Sequence, residues 1–478
     1  MAIAATDNAI NRPIIPSAPE PSTEAQRLAD FALHLQLADV PAPVVAKAKA
    51  HMLDAFGLAL AATGFDFARE ILAGAKALGG SGDATALGSG ERLPPANAAL
   101  VNGALFHGLD FDDTHITAIY HATTPALAAG LAAAEATGAS GKDLLAAFVV
   151  GLEMGCRIAN AAEGGFHDRG FHPTALAGTF AAAFTAGRLL GLSRDQLVSA
   201  LSFAGSQAAG ILELGGSLKR LHTGWSAHAG YSAAVLAQNG FTGATTVFEG
   251  NHGFYKTHLG RTPDPAMMPS FGLGEHWLIE GIALKPYPCC HFIHAFVDAA
   301  LHLREVVDVD QIARIDLPLH KRLHPLVGEP LARKQRPQSP YEAMFSTPYV
   351  VALALATGEV DLAAFHDRGV SDPRVLALAA LAQVEDDPAS DFPAHFPGEV
   401  RLTMKNGDVV HQREMTSSGT PDRPLSPETI EAKFLTNATR AITNSRASAL
   451  LDLLRNVDNI GNVGELTTAA RLIDSTDV

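Results

Sequence analysis

From about residue 24 to residue 240, apolar positions recur at three- and four-residue spacing, with alanine dominant. That periodicity predicts a succession of helices. Ser193 and Gln196 have capping-box spacing ahead of Leu197, which places a helix start there. Gly138, Gly191 and Gly240 each close a periodic stretch, as helix-ending glycines do. The many alanines and glycines favour close helix–helix approach, so this half is expected to be a bundle. The texture changes near Phe271. Ile312 to Leu319 alternates like a strand. Val400 to Met404 and Val409 to Gln412 flank Lys405-Asn406-Gly407-Asp408, a strong hairpin signal. Helical stretches are expected near His291 to Glu305, Pro348 to Leu355 and Asp372 to Leu381. Ser426-Pro427-Glu428-Thr429 then opens a helix again.

This pattern predicts a mainly α protein with a smaller α+β unit. The expected divisions are a loose N-terminal arm over 1–23, a helical domain over 24–275 that resumes at 423–478, and an inserted α+β unit over 276–422. No internal repeat is visible.

Composition narrows the function classes. Hydrophobic residues make up 47% of the 478 positions and charged residues 18%, the balance of a well-buried globular chain. The net charge of −15 comes without any run of Lys and Arg, which argues against nucleic-acid binding. An anionic substrate would need a few convergent cations inside a negative protein. Three cysteines, Cys156, Cys289 and Cys290, do not form a disulfide framework and suggest a reducing cytoplasm. The first residues lack the basic and apolar regions of a signal peptide. Asp54, Glu153 and Arg188 interrupt the apolar helices, so no membrane span is expected. Neither a strand-linked Gly-x-Gly-x-x-Gly nor a P-loop occurs. Gly138 to Lys142 lacks both the P-loop spacing and its Ser/Thr.

Candidate chemistry starts at Leu109-Asp110-Phe111-Asp112-Asp113-Thr114-His115, followed by His121. Three carboxylates in four positions repel one another, and with two imidazoles close behind they supply the materials of acid–base chemistry. The same groups could instead hold a metal or form a solvated loop. A second signature is Gly170-Phe171-His172-Pro173-Thr174. Pro173 suits the first turn of the helix that follows, placing His172 near a helix N-terminus, where an anion is favoured. A third is Leu218-Lys219-Arg220-Leu221-His222, in which Lys219 and His222 share a helix face. Gly215-Gly216 just before it allow close backbone approach. A fourth is Lys285-Pro286-Tyr287-Pro288-Cys289-Cys290-His291, whose prolines hold Lys285 and Tyr287 in a rigid turn. The cysteines read as small buried fillers. A fifth, weaker, runs from His320 through Arg322 to His324 and on to Ser339-Pro340-Tyr341-Glu342-Ala343-Met344-Phe345-Ser346.

In this order the five signatures resemble the MmgE/PrpD family over roughly residues 24 to 440. The resemblance implies a large helical domain built from both chain ends, an α+β lid and a homodimer. It also implies action on a small di- or tricarboxylate without metal or organic cofactor. It places catalytic groups on Asp110, His121, His172, Lys219 and Lys285, and substrate contacts on Thr114, His222, Tyr287 and His324. The reactions it implies are dehydration of the 2-methylcitrate type first, then epimerisation of an iminodisuccinate-like substrate or cis-aconitate-type decarboxylation. Each needs a carbanion-like centre beside a carboxylate, cations to stabilise the enediolate, and a proton donor or acceptor. Two other classes remain open: a metal-dependent hydratase or hydrolase using Asp110, Asp112, Asp113 and His115, and a non-catalytic carboxylate-binding protein.

Overall fold

The computed structural model describes residues 22–472. Of the expected arm over 1–23, all but Ser22 and Thr23 lies outside the described residues. Thr23 is the cap of the first helix, Glu24–His34, and exchanges bonds with Gln26 in a capping box. The fold is mainly α, with a four-stranded sheet and two two-stranded ones among the described residues. No helix of the described residues is long and apolar enough to cross a membrane.

The centre of the helical half is Pro173–Leu189, buried along nearly its whole length. It packs against Thr123–Thr137, Gly141–Asn160 and Leu218–Gln238. Alanine and glycine permit this density. The helices Pro95–His107 and Leu218–Gln238 cross at two glycines, and a Cβ on Gly103 would lie 2.7 Å from Gly224 Cα. This crossing matters for function. The first helix delivers the acidic segment at its C-terminal end, and the second delivers Lys219 in its first turn. Ser193 does cap Arg194–Gln207 with Gln196 at the third position. Gly138, Gly191 and Gly240 all have φ in the left-handed region, the conformation a helix-ending glycine supplies.

The later part of the chain forms a four-stranded sheet in the order Ala382–Asp386, Ile312–Leu319, Gly398–Met404, Val409–Glu414. The last three strands are antiparallel neighbours; the first pairs parallel to Ile312–Leu319. The hairpin turns through Gly407 at φ 93. The helix His294–Val306 covers its two final strands. Pro427–Ala438, capped by Ser426, returns to pack on Ala42–Ala62, where a Cβ on Gly57 would lie 3.1 Å from Phe434 Cα.

The helical half is not purely helical. Asp113–His115 forms a short strand antiparallel to Ile282–Leu284, with Asp113 opposite Leu284. The segment is buried, so its backbone groups need partners. The partner lies far downstream, and no local pattern announces it. This pairing ties the acidic segment to the stretch that carries Lys285.

Candidate active site

Asp110 follows the helix Pro95–His107 in a tight turn, with φ 50. Its side chain is buried and meets two lysines. Lys219 Nζ donates to Asp110 Oδ1 at 2.5 Å. Lys285 Nζ donates to the same oxygen at 3.1 Å and to the Asp110 carbonyl at 2.9 Å. Burial alone would raise the Asp110 pKa; Lys219 and then Lys285 outweigh it and hold the carboxyl well below the usual range.

Asp112 and Asp113 serve the scaffold. Asp113 caps the helix Thr123–Thr137, accepting from Ala122 N at 3.0 Å and from Thr123 N and Oγ1 at 3.1 and 2.5 Å. Asp112 Oδ2 accepts from His107 Nδ1 at 2.8 Å and from Thr124 Oγ1 at 3.2 Å. His121 Nδ1 lies 2.6 Å from the Asp113 carbonyl oxygen, so that nitrogen carries the proton. Its Nε2 is left facing Lys219 Nζ at 3.5 Å. His172 stands at the N-cap of Pro173–Leu189, with Pro173 in the first turn. Its Nδ1 is 3.2 Å from His222 Nδ1. Burial, followed by Lys219 and His121, pushes the His172 pKa well down, so the ring is neutral. His107 is brought to about 4 by burial, against the pull of Asp112.

Asp110, Thr114, His121, His172, Lys219 and Lys285 all line one cavity of about 190 Å3. Cys290, His291, Phe345 and Phe396 line it as well. The walls thus come from both the helical and the later α+β segments. Inside or beside the cavity, Asp110 Oδ2, Thr114 Oγ1, His172 Nε2 and His107 Nε2 are buried without a protein partner. Buried polar atoms of this kind call for a ligand or water. Two non-glycine residues with positive φ, Asp110 and Ile119, line the cavity. For a β-branched residue such as Ile119 that conformation is strained, as local backbone at functional sites often is.

Three expected substrate contacts fall elsewhere. His222 reaches the cavity only through His172. Tyr287 donates to Asp298 Oδ1 at 2.7 Å, which directs its hydroxyl away from the cavity. His324 is held by the Leu319 carbonyl at 2.9 Å and by Glu329 at 3.3 Å; Leu326, two residues on, lines the cavity instead. The metal set Asp110, Asp112, Asp113 and His115 is not gathered either. Asp113 is spent on its helix cap, and His115 borders a different cavity beside Gly281. The group that does converge is His107, Asp110, Asp112 and His121, with ligand atoms within 4.8 Å. Two ammonium groups already lie on Asp110, and a divalent cation there would face both at short range. The arrangement suits an anion better.

Two neighbours of the site carry no local signal of their own in the sequence: His107, which sits at the end of its helix three residues before Asp110, and Lys433. Lys433 Nζ donates to the carbonyls of Phe111 and Lys285, both at 2.8 Å, and lies 2.7 Å from Asp54 Oδ1. Burial pushes Asp54 up and Lys433 down, and their contact opposes both shifts. This pair clamps the two backbone segments that present Asp110 and Lys285. Its only trace in the sequence is a lone lysine between Ile430 and Phe434 on an otherwise amphipathic helix.

The sequence profile of the MmgE/PrpD N-terminal domain matches residues 26–266, and that of the MmgE/PrpD C-terminal domain matches residues 287–459. Cis-aconitate decarboxylase of Mus musculus is 30% identical over 89% of this chain and 88% of its own. The Homo sapiens cis-aconitate decarboxylase is 32% identical over 79% of each chain. The 2-methylcitrate dehydratase of Cupriavidus necator is 26% identical over 76% of this chain and 79% of its own. With both domains matched in order, and with relatives aligned along most of its length, this chain belongs to the MmgE/PrpD family and is an enzyme of it.

Proposed function

We propose that the enzyme is a lyase that takes a small tricarboxylate into the inner cavity, and that it decarboxylates a substrate of the cis-aconitate type. One substrate carboxylate binds between Lys219, Lys285 and Thr114. The bond to the departing carboxylate breaks, carbon dioxide leaves, and the electron pair stays on carbon. The lysines stabilise the resulting enediolate. A proton then returns to carbon from the Lys219–His121 pair, whose nitrogens are 3.5 Å apart. The observation that carries this reading is the Lys219–His121 contact, which sets a proton donor beside the two lysines that would hold the enediolate. His107 and His172 are pushed down by burial into neutral rings. Decarboxylation needs a single proton donor, whereas epimerisation needs bases on two faces of one carbon.

Dehydration is the second reading, favoured by the alignment with the 2-methylcitrate dehydratase. A homodimer is part of the proposal. Leu221, Trp225 and Leu236 are exposed on the helix Leu218–Gln238, and their spacing puts them on one face. Sedimentation analysis tests it.

Incubation with cis-aconitate and with 2-methylcitrate in heavy water, followed by proton NMR, tests the reaction. Carbon dioxide release with one deuterium entering the product is expected from cis-aconitate. Alkene formation from 2-methylcitrate with cis-aconitate untouched would replace the first reading by the second.

A further inference from the structure

A second cavity, of about 570 Å3, lies outside the first and shares Leu214, Leu326 and Phe345 with it. These three apolar side chains form a partition between the two spaces. Lys334 braces it, donating from Nζ to the Leu326 carbonyl at 2.6 Å and to the Phe345 carbonyl at 2.7 Å. Consecutive residues of one helix serve the two sides: Lys219 lines the inner cavity and Arg220 the outer.

Arg220 is held rigidly. Its Nε donates to the Gly108 carbonyl at 2.8 Å, and its guanidinium carbon lies 4.3 Å from the Phe67 ring and 4.8 Å from the Tyr341 ring. Among the described residues no carboxylate pairs with it and its two terminal nitrogens make no hydrogen bond. Arg333, on the same wall, is already taken by Glu342 at 2.6 Å. The 21-residue helix Leu218–Gln238 begins at this wall, and no side chain caps its N-terminus. Its positive end therefore adds to the Arg220 charge. Gly215 and Gly216 are not sites of close approach, because a Cβ on either would meet nothing within 4 Å. They keep the space in front of Arg220 open.

We propose that the outer cavity is an anion antechamber, in which Arg220 and the open helix end take a carboxylate of the incoming substrate before it passes the Leu214–Leu326–Phe345 partition to Lys219 and Lys285. In a chain of net charge −15 such a local positive entrance offsets the general repulsion of a polyanion. The inference rests on the reading that the substrate is a polycarboxylate, but not on which reaction follows.

The test compares wild type with Arg220→Gln. One measurement is kcat/KM for cis-aconitate across ionic strength; the other is calorimetric binding of tricarballylate, an unreactive tricarboxylate. Arg220→Gln is expected to lower kcat/KM about tenfold at low salt, mainly through KM, and to flatten its salt dependence. Tricarballylate binding should weaken by a similar factor. A second pair avoids the packing role of Arg220: Gly216→Asp should bind tricarballylate about fivefold more weakly than the isosteric Gly216→Asn, by like-charge repulsion. If wild type turns over no polycarboxylate yet its tricarballylate affinity depends on Arg220, the antechamber stands and the reaction assignment falls. If tricarballylate binds equally to wild type and Arg220→Gln and to both Gly216 variants, or binds to none, the antechamber is overturned.

Discussion

Lys219 and Lys285 converge on a single oxygen, Asp110 Oδ1, at 2.5 and 3.1 Å. Their surroundings differ. The Lys285 side chain is 1% exposed and also holds a backbone carbonyl, whereas Lys219 is 11% exposed and faces His121. Lys285→Ala should therefore cost about 1–3 kcal/mol of stability together with activity, because it leaves the buried Asp110 carbonyl without its donor while Lys219 still pairs with the carboxylate. Lys219→Ala should lower turnover about a hundred- to ten-thousandfold with a much smaller stability loss. Urea unfolding beside initial rates with cis-aconitate separates the two; equal destabilisation would contradict the division of labour.

His121→Ala should reduce kcat about a hundred- to ten-thousandfold, because the imidazole that faces Lys219 at 3.5 Å is lost. His172 is a neutral hydrogen-bonding group, so His172→Asn should retain more turnover than His172→Ala. Cys290 lines the cavity, yet burial raises its thiol pKa and keeps it protonated. Cys290→Ser should therefore cost far less rate than either histidine change. A folded but inactive Cys290→Ser enzyme would call for a thiol mechanism.

Stability should fall as the solution is acidified from about pH 6.5 toward pH 4. Burial brings His107 and His115 to about 4 and His294 to about 3. In that window the unfolded chain takes up protons that the folded chain refuses, so unfolding free energy rises with pH. Each fully buried histidine contributes a slope of about 1.4 kcal/mol per pH unit near pH 5. Urea denaturation at several pH values measures the sum. A flat profile between pH 5 and 6.5 would mean that these rings titrate normally.

Gly224→Ala should damage both fold and site. Its Cβ would lie 2.2 Å from the Leu100 carbonyl oxygen, which forces apart the helices that deliver Asp110 and Lys219. The expected cost is about 1–3 kcal/mol, as for other overpacked contacts. Thermal unfolding and kcat should fall together; unchanged kcat would show that the site tolerates the shift.

Dialysis against a chelator should leave turnover intact. His107, Asp110, Asp112 and His121 are close enough to hold an ion, but Lys219 and Lys285 already occupy Asp110. Loss of activity restored by one divalent metal would overturn this.

Much of the frame was legible because its signals are local. The Ser193–Gln196 cap, the Ile312–Leu319 alternation and the Asn406-Gly407 turn each declare themselves within a few residues, and the structure carries all of them. The cavity residues Asp110, His121, His172, Lys219 and Lys285 stood out as polar groups in apolar surroundings. The rest depends on distant partners. Tyr287 reads like a site residue until Asp298 claims its hydroxyl. Asp113 can be read from its sequence as a metal ligand or as a helix cap, and its distant partners Ala122 and Thr123 make it the cap. The strand Asp113–His115 exists because Ile282–Leu284 lies beside it, a pairing no short window contains.

The Lys433 clamp also fixes an order of assembly. Phe111 and Lys285, whose carbonyls it joins, are synthesised long before Lys433 itself. A nascent chain emerging from the ribosome can build its helices and its sheet while the two sides of the cavity still lack their common fastening. The fastening itself can close only once residue 433 has been made and the helix Pro427–Ala438 docks onto Ala42–Ala62, where Lys433 meets Asp54.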